Sequence, residues 1–168
     1  DVLPSLSSGA VDAAEWICPA ADLGAGLYQA AKYYYGPGWH EPSTLLDLSI
    51  DLASWEKLDS STQGLVDDMT KSFNMTVFSR FQAANGPALQ KLLNEHNVQL
   101  KKFPDEVLIA LGNAAGEVVS ERGSINSETK AICNHLLSFR KNIMDWSTKG
   151  ESEFARIRNL SFKYPDSV

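Results

Sequence analysis

The chain has 168 residues, of which 43 % are apolar and 21 % charged, with a net charge of −6. Those proportions sit near globular averages, so a packed core is expected and disorder is excluded. The acidic balance argues against nucleic acid or an anionic membrane as partner, because both attract Lys/Arg-rich patches.

The pair Lys101-Lys102 is too small to make such a patch. Net acidity removes long-range steering of an anion but leaves local binding of a small one open. No apolar run approaches the ~20 residues needed to cross a bilayer. Cys18 and Cys133 lack the Cys/His spacing of a zinc site, so two buried thiols are expected, with a disulfide as the sharper alternative. The lack of an initiator Met and of a signal peptide suggests a processed protein or an excised piece.

In chain order, Val2 to Gly9 reads as a tail ending in a Gly turn, and Val11 to Ile17 as a short buried strand stopped by Pro19. Asp22 looks like the N-cap of a short helix through Lys32, with Leu23, Leu27, Ala30 and Ala31 on its inner side. Tyr33-Tyr34-Tyr35 is an aromatic extended piece running into the rigid turn Gly36-Pro37-Gly38. Leu45 to Leu52 alternates as a second strand, and Ser54 to Leu58 makes one helical turn.

From Ser60 the period becomes helical. Val66, Met69, Phe73, Val77, Phe81 and Ala84 form one stripe, interrupted by Asn85-Gly86-Pro87 and resumed by Leu89, Leu92 and Leu93. A kinked helix of roughly 35 residues, or two abutting helices, spans about 50 Å and suits a strut between lobes. Gln99 to Phe103 reads as a short strand. Pro104-Asp105-Glu106 starts a helix that Gly123 stops, and Gly112-Asn113-Ala114-Ala115-Gly116 within it reads as small-residue helix packing. Asn126-Ser127-Glu128 opens another helix, whose stripe is Ile132, Leu136, Phe139, Ile143 and Trp146 and whose end is Gly150. Phe154, Ile157 and Leu160 suggest a last short turn.

Three short strands against five or six helices give an α/β chain with too few strands for an independent sheet. The expected organisation is strands and cleft-lining segments over 1–58, a long helix over 60–97, and C-terminal helices over 98–168. The missing strands imply the C-terminal part of a larger α/β protein, or completion by another chain.

Two stretches place a carboxylate beside a tryptophan: Asp12-Ala13-Ala14-Glu15-Trp16 and Gly38-Trp39-His40-Glu41-Pro42. An unpaired carboxylate is expensive to bury, so Glu15 is expected at a cavity, a cation or an arginine, with a structural ion pair as the plain alternative. Trp16 taken alone is ordinary core. His40-Glu41 lies in a turn fixed by glycine and proline, where groups are held accurately. His96 and His135 stand alone, so a metal-dependent hydrolase of the His-Glu-x-x-His kind is poorly supported. No Gly-x-Ser-x-Gly elbow occurs. Carboxylate oxygens without thiolates favour a hard cation, Na⁺ or Ca²⁺, bridging Glu15 and Glu41 to an acidic ligand. A helical interaction module, in which both stretches merely close turns, is the other reading.

These residues resemble a known pattern. Leu6 through Trp16, then Lys32 through Pro42, and on through Trp55-Glu56-Lys57-Leu58 to about Trp146, the chain is similar to the periplasmic solute-binding proteins of tripartite ATP-independent (TRAP) transporters, DctP-like, in the branch that binds 2-oxo acids or lactate with a metal ion. The resemblance implies a two-lobed α/β binding protein without catalytic activity, helix-rich with a few short strands and one long bridging helix, of which this chain is the C-terminal portion. It implies a small organic carboxylate (2-oxo acid, lactate or dicarboxylate) held in an interlobe cleft and delivered to the TRAP membrane permease subunits from the periplasm. Glu15 would ligate the metal through its side chain, Trp16 through its backbone carbonyl, and Glu41 as a further contact, with Trp39 and His40 near the ligand. The C-terminal helices would serve a homodimer through the stripe from Ile132 to Trp146. Members are roughly twice this length, and their carboxylate-binding arginine lies in the N-terminal lobe missing here.

Overall fold

The computed structural model describes residues 1–39 and 47–163. The chain divides into two compact units, Asp1–Pro104 and Asp105–Val168.

The first unit opens with helix α1 (Val2–Ser8), not a loose tail, closed by Gly9 in the left-handed conformation with φ 72°. Glycine takes that conformation without a Cβ penalty, so the residue that reads as a turn is a helix stop. Helix α2 (Pro19–Gly24) follows, with Cys18 as N-cap and Pro19 in the first turn. Asp22 therefore lies inside α2 and not at its cap. The helix ends at Gly24, Gly26 takes φ 71°, and a single 3-10 turn (Leu27–Gln29) finishes the segment well short of Lys32.

The tyrosine run forms strand β1 (Tyr33–Gly36), as its extended propensity predicts. Helix α3 (Leu52–Trp55) precedes the helix α4 (Ser60–Asn94), 35 residues long and continuous through Pro87. Asp59 caps α4 by accepting the Thr62 backbone N–H at 2.9 Å and its hydroxyl at 2.8 Å. Those two bonds hold the Asp59 carboxyl below the usual carboxylate range. Strand β2 (Gln99–Lys102) pairs with β1 in parallel, Tyr33 opposite Gln99 and Gly36 opposite Lys102. A parallel pair requires a crossover, and α4 is that crossover.

Two predicted strands are not strands. Residues 11–17 are irregular, and Val11, Trp16 and Ile17 are exposed. A strand exists by pairing, and the described sheet pairs only β1 with β2, not with this run. Of Leu45 to Leu52, residues 47–50 are irregular and 45–46 lie outside the described residues. Local bonds replace a ladder there: Ser49 donates to Asp47 at 2.6 Å, and Asp51 caps α3 by accepting from Ser54.

Among the described residues the buried apolar ones are Ala88, Leu92 and Val98. They lie where the last turns of α4, which packs against α2, lead into β2. The Ala20 N–H donates to the Asn85 side chain at 3.1 Å, and Tyr28 stacks on His96 with ring centroids 3.7 Å apart. The rest of the α4 stripe is less covered: Val66 and Val77 are half-buried, and Met69, Phe73 and Phe81 are exposed.

The second unit consists of α5 (Asp105–Gly123), α6 (Ser127–Lys149) and α7 (Glu151–Arg158), close to the bounds that the caps and glycines predict. Asn126 and Thr129 form a capping box at the start of α6. Gly123 lies against Cys133, where an added Cβ would meet the Cys133 Cβ at 3.4 Å. Gly112 and Gly116, by contrast, have open space where a side chain would project, so they are not a tight helix contact among the described residues. No residue of α5, α6 or α7 is buried, and Ile132, Leu136, Phe139, Ile143 and Trp146 are all exposed. Both cysteines are free and partly exposed, so the disulfide alternative is not realised.

Candidate functional site

Glu15 and Trp16 lie in the irregular segment between α1 and α2, and Trp39 lies three residues beyond the end of β1; all three are exposed. His40 and Glu41 lie outside the described residues. Among the described residues no group of three or more His, Cys, Asp or Glu side chains gathers around a common point. The donors that are described, the Glu15 carboxylate and the Trp16 carbonyl, are oxygens only, a set that fits a hard cation and not zinc.

A residue that sequence reasoning places elsewhere joins these two stretches. Asp22, 7 % exposed, is the buried charged residue of the described chain. One of its carboxylate oxygens accepts the Ile17 backbone N–H at 3.2 Å, and the other accepts the Tyr34 hydroxyl at 2.5 Å. The first bond holds the segment that carries Glu15 and Trp16. The second holds the strand that leads to Trp39. Reading Asp22 as an N-cap misses this role, although Pro19 three positions earlier already signals the true helix start.

Burial, followed by the hydrogen bond to Asp22 and its charge, pushes the Tyr34 hydroxyl well above the ordinary tyrosine range. It therefore stays a donor at neutral pH. A folded-state value raised above the unfolded one gives stability that is complete below the unfolded value of about 10 and is lost as pH rises beyond it. Denaturant midpoints measured from pH 8 to pH 11 should fall over the alkaline part of that range. Tyr34→Phe should flatten the decline, and an equal decline in both proteins would remove Tyr34 as its source.

Two open hollows of about 320 Å³ also mark the surface, one lined by Leu48, Ile50, Trp55 and Val66, the other by Ala21, Val77, Arg80 and Phe81. Neither is lined by Glu15, Trp16 or Trp39. No helix among the described residues is long and apolar enough to cross a membrane.

The family model of DctP, bacterial extracellular solute-binding protein family 7, matches residues 1–124. The chain belongs to this family. DctP proteins bind solutes and are not enzymes. Over 161 residues the chain is 31 % identical to a monocarboxylate 2-oxoacid-binding periplasmic protein of Nostoc sp., a match covering 96 % of this chain and 44 % of that protein. Among solved structures it is similar to a TRAP transporter solute-binding protein of Bordetella bronchiseptica, with TM-score 0.83, 29 % identity, and coverage of 94 % of this chain and 47 % of that one. That protein was crystallised as a dimer of mixed occupancy, with copurified calcium and picolinate in one site.

A TRAP periplasmic solute-binding protein of Pseudoalteromonas atlantica, with sodium and pyruvate bound, matches with TM-score 0.83 and 26 % identity, covering 96 % of this chain and 48 % of that one. One from Colwellia psychrerythraea, with calcium and pyruvate bound, matches with TM-score 0.82 and 28 % identity, covering 95 % and 48 %. This DctP chain thus spans about half the length of the relatives it matches. The helix-rich fold with two parallel strands matches about half of such a TRAP binding protein.

Proposed function

We propose that this DctP chain is part of a periplasmic TRAP binding protein that captures a small monocarboxylate of the 2-oxoacid class together with Na⁺ or Ca²⁺. Glu15 through its carboxylate, Trp16 through its carbonyl and Glu41 through its carboxylate hold the cation, while Trp39 and His40 line the ligand side. The observation that carries this reading is the match to relatives that hold sodium or calcium together with pyruvate or picolinate. The oxygen-only donor pair at Glu15-Trp16 supports it from this chain's own chemistry. A cation bound there would offset carboxylate charge and let an acidic protein hold an acid.

The wider organisation follows from the same reading. Helix α4 is the strut between two lobes, and the apolar side chains exposed along it are suited to cover by an N-terminal lobe. The exposed stripe of α6 suits a homodimer contact, and the permease subunits of a TRAP transporter receive the ligand.

Calorimetry on the full-length protein tests the binding function. Pyruvate or lactate should release heat in the presence of Na⁺ or Ca²⁺ and none after chelation or exchange into a bulky organic cation. Heat that persists unchanged without either metal would refute the bridging ion.

A further inference from the structure

We infer that Asp22 is the residue that aims the Trp16 carbonyl at the cation, acting through the Ile17 amide, and that Tyr34 steadies it. The inference rests on the reading above that Trp16 donates its carbonyl. A peptide unit is planar, and its N–H and C=O point in opposite directions when it is trans. The Trp16–Ile17 peptide is trans, since the cis bond among the described residues is Gly36–Pro37. Fixing the Ile17 N–H therefore fixes the direction of the Trp16 C=O.

Residues 12–17 belong to no helix or strand. Asp22 binds the Ile17 N–H at 3.2 Å, while the Trp16 carbonyl accepts no hydrogen bond among the described residues and Trp16 itself is 46 % exposed. One end of the plane is anchored inward and the other is left for a ligand.

Asp22 can act as an anchor because it is itself held on three sides. Its backbone N–H donates to the Cys18 carbonyl at 2.8 Å within α2. The start of α2 is bonded to α4 through Ala20 and Asn85. Tyr34 from β1 occupies the second carboxylate oxygen. Groups that orient metal ligands in this way commonly account for 10- to 100-fold in metal affinity.

The test measures Ca²⁺ binding by titration calorimetry in the full-length protein, together with hydrogen exchange at the Ile17 amide. Asp22→Ala should weaken Ca²⁺ binding about 10- to 100-fold and speed exchange at Ile17. Asp22→Asn keeps an acceptor for Ile17 while removing the charge, and should restore affinity to within about threefold of the parent. Equal weakening by Asn and Ala would assign the effect to charge and overturn the aiming role.

Should the alanine protein fail to fold by circular dichroism, Asp22→Ser replaces it, its hydroxyl being one bond short of Ile17, with the same loss expected. Rapid Ile17 exchange in the parent protein would overturn the anchor while leaving the metal site standing. Absence of Ca²⁺ and Na⁺ binding in the parent, with Ile17 protected, would instead overturn the metal reading and the aiming role with it.

Discussion

Glu15→Ala will abolish cation-dependent pyruvate binding, weakening it on the order of 100-fold or more, equivalent to about 2.7 kcal/mol. The expectation follows from what the side chain supplies. A hard cation is held by oxygen donors and by their charge, and of the described residues in the two tryptophan-bearing stretches only Asp12 and Glu15 carry carboxylates. Alanine removes both the oxygen and the charge, whereas Gln keeps a neutral oxygen and should fall between the two. Measured in the full-length protein with Ca²⁺ and pyruvate, retention of binding within threefold would show that Glu15 is not a ligand. Thermal stability without metal provides the control for folding, Glu15 lying on an exposed, irregular segment.

Leu92→Ala will destabilise the fold by about 2–5 kcal/mol, the usual range when a buried leucine is truncated. Leu92 is 3 % exposed, the most buried of the three core residues, and its carbonyl accepts the Val98 N–H at 3.0 Å as the chain turns from α4 toward β2. Truncation leaves a void at the place where helix, turn and strand meet. Chemical denaturation of the full-length protein reads the effect, with Glu95→Ala, exposed and one turn away, expected to change stability by no more than about 0.5 kcal/mol. A loss below about 1 kcal/mol at Leu92 would place the core elsewhere.

The three long helices were legible because their signals are local, whereas the short α1 was read as a tail and α2 was misplaced at both ends. The run from Ser60 to Asn94, the proline and acids opening α5 and the Asn126 cap of α6 all act within a few residues of where they stand. Strands β1 and β2 could be read as extended pieces, but their mutual pairing could not. The same gap accounts for the two strands wrongly predicted. Val11 to Ile17 and Leu45 to Leu52 have strand-like composition, yet strand identity belongs to a partner, and neither described strand pairs with their described residues.

Of the site, the order and spacing of Glu15-Trp16 and Trp39-His40-Glu41 led to the family. Sequence alone did not lead to Asp22, whose importance comes from two groups, Ile17 and Tyr34, that reach it from opposite directions along the chain.

The parallel pairing of Tyr33 with Gln99 also carries a consequence for assembly. The partners stand on either side of all of α4, so the ladder must close a long excursion of chain. Left as coil, that excursion would oppose closure through its entropy. Wound into a rod, the excursion is largely ordered before its flanks meet, so less chain entropy is left to oppose closure. Helical turns form within about a microsecond, faster than distant strands meet. The sequence of events is therefore written into the architecture: the rod comes first, and the ladder is fastened across its foot.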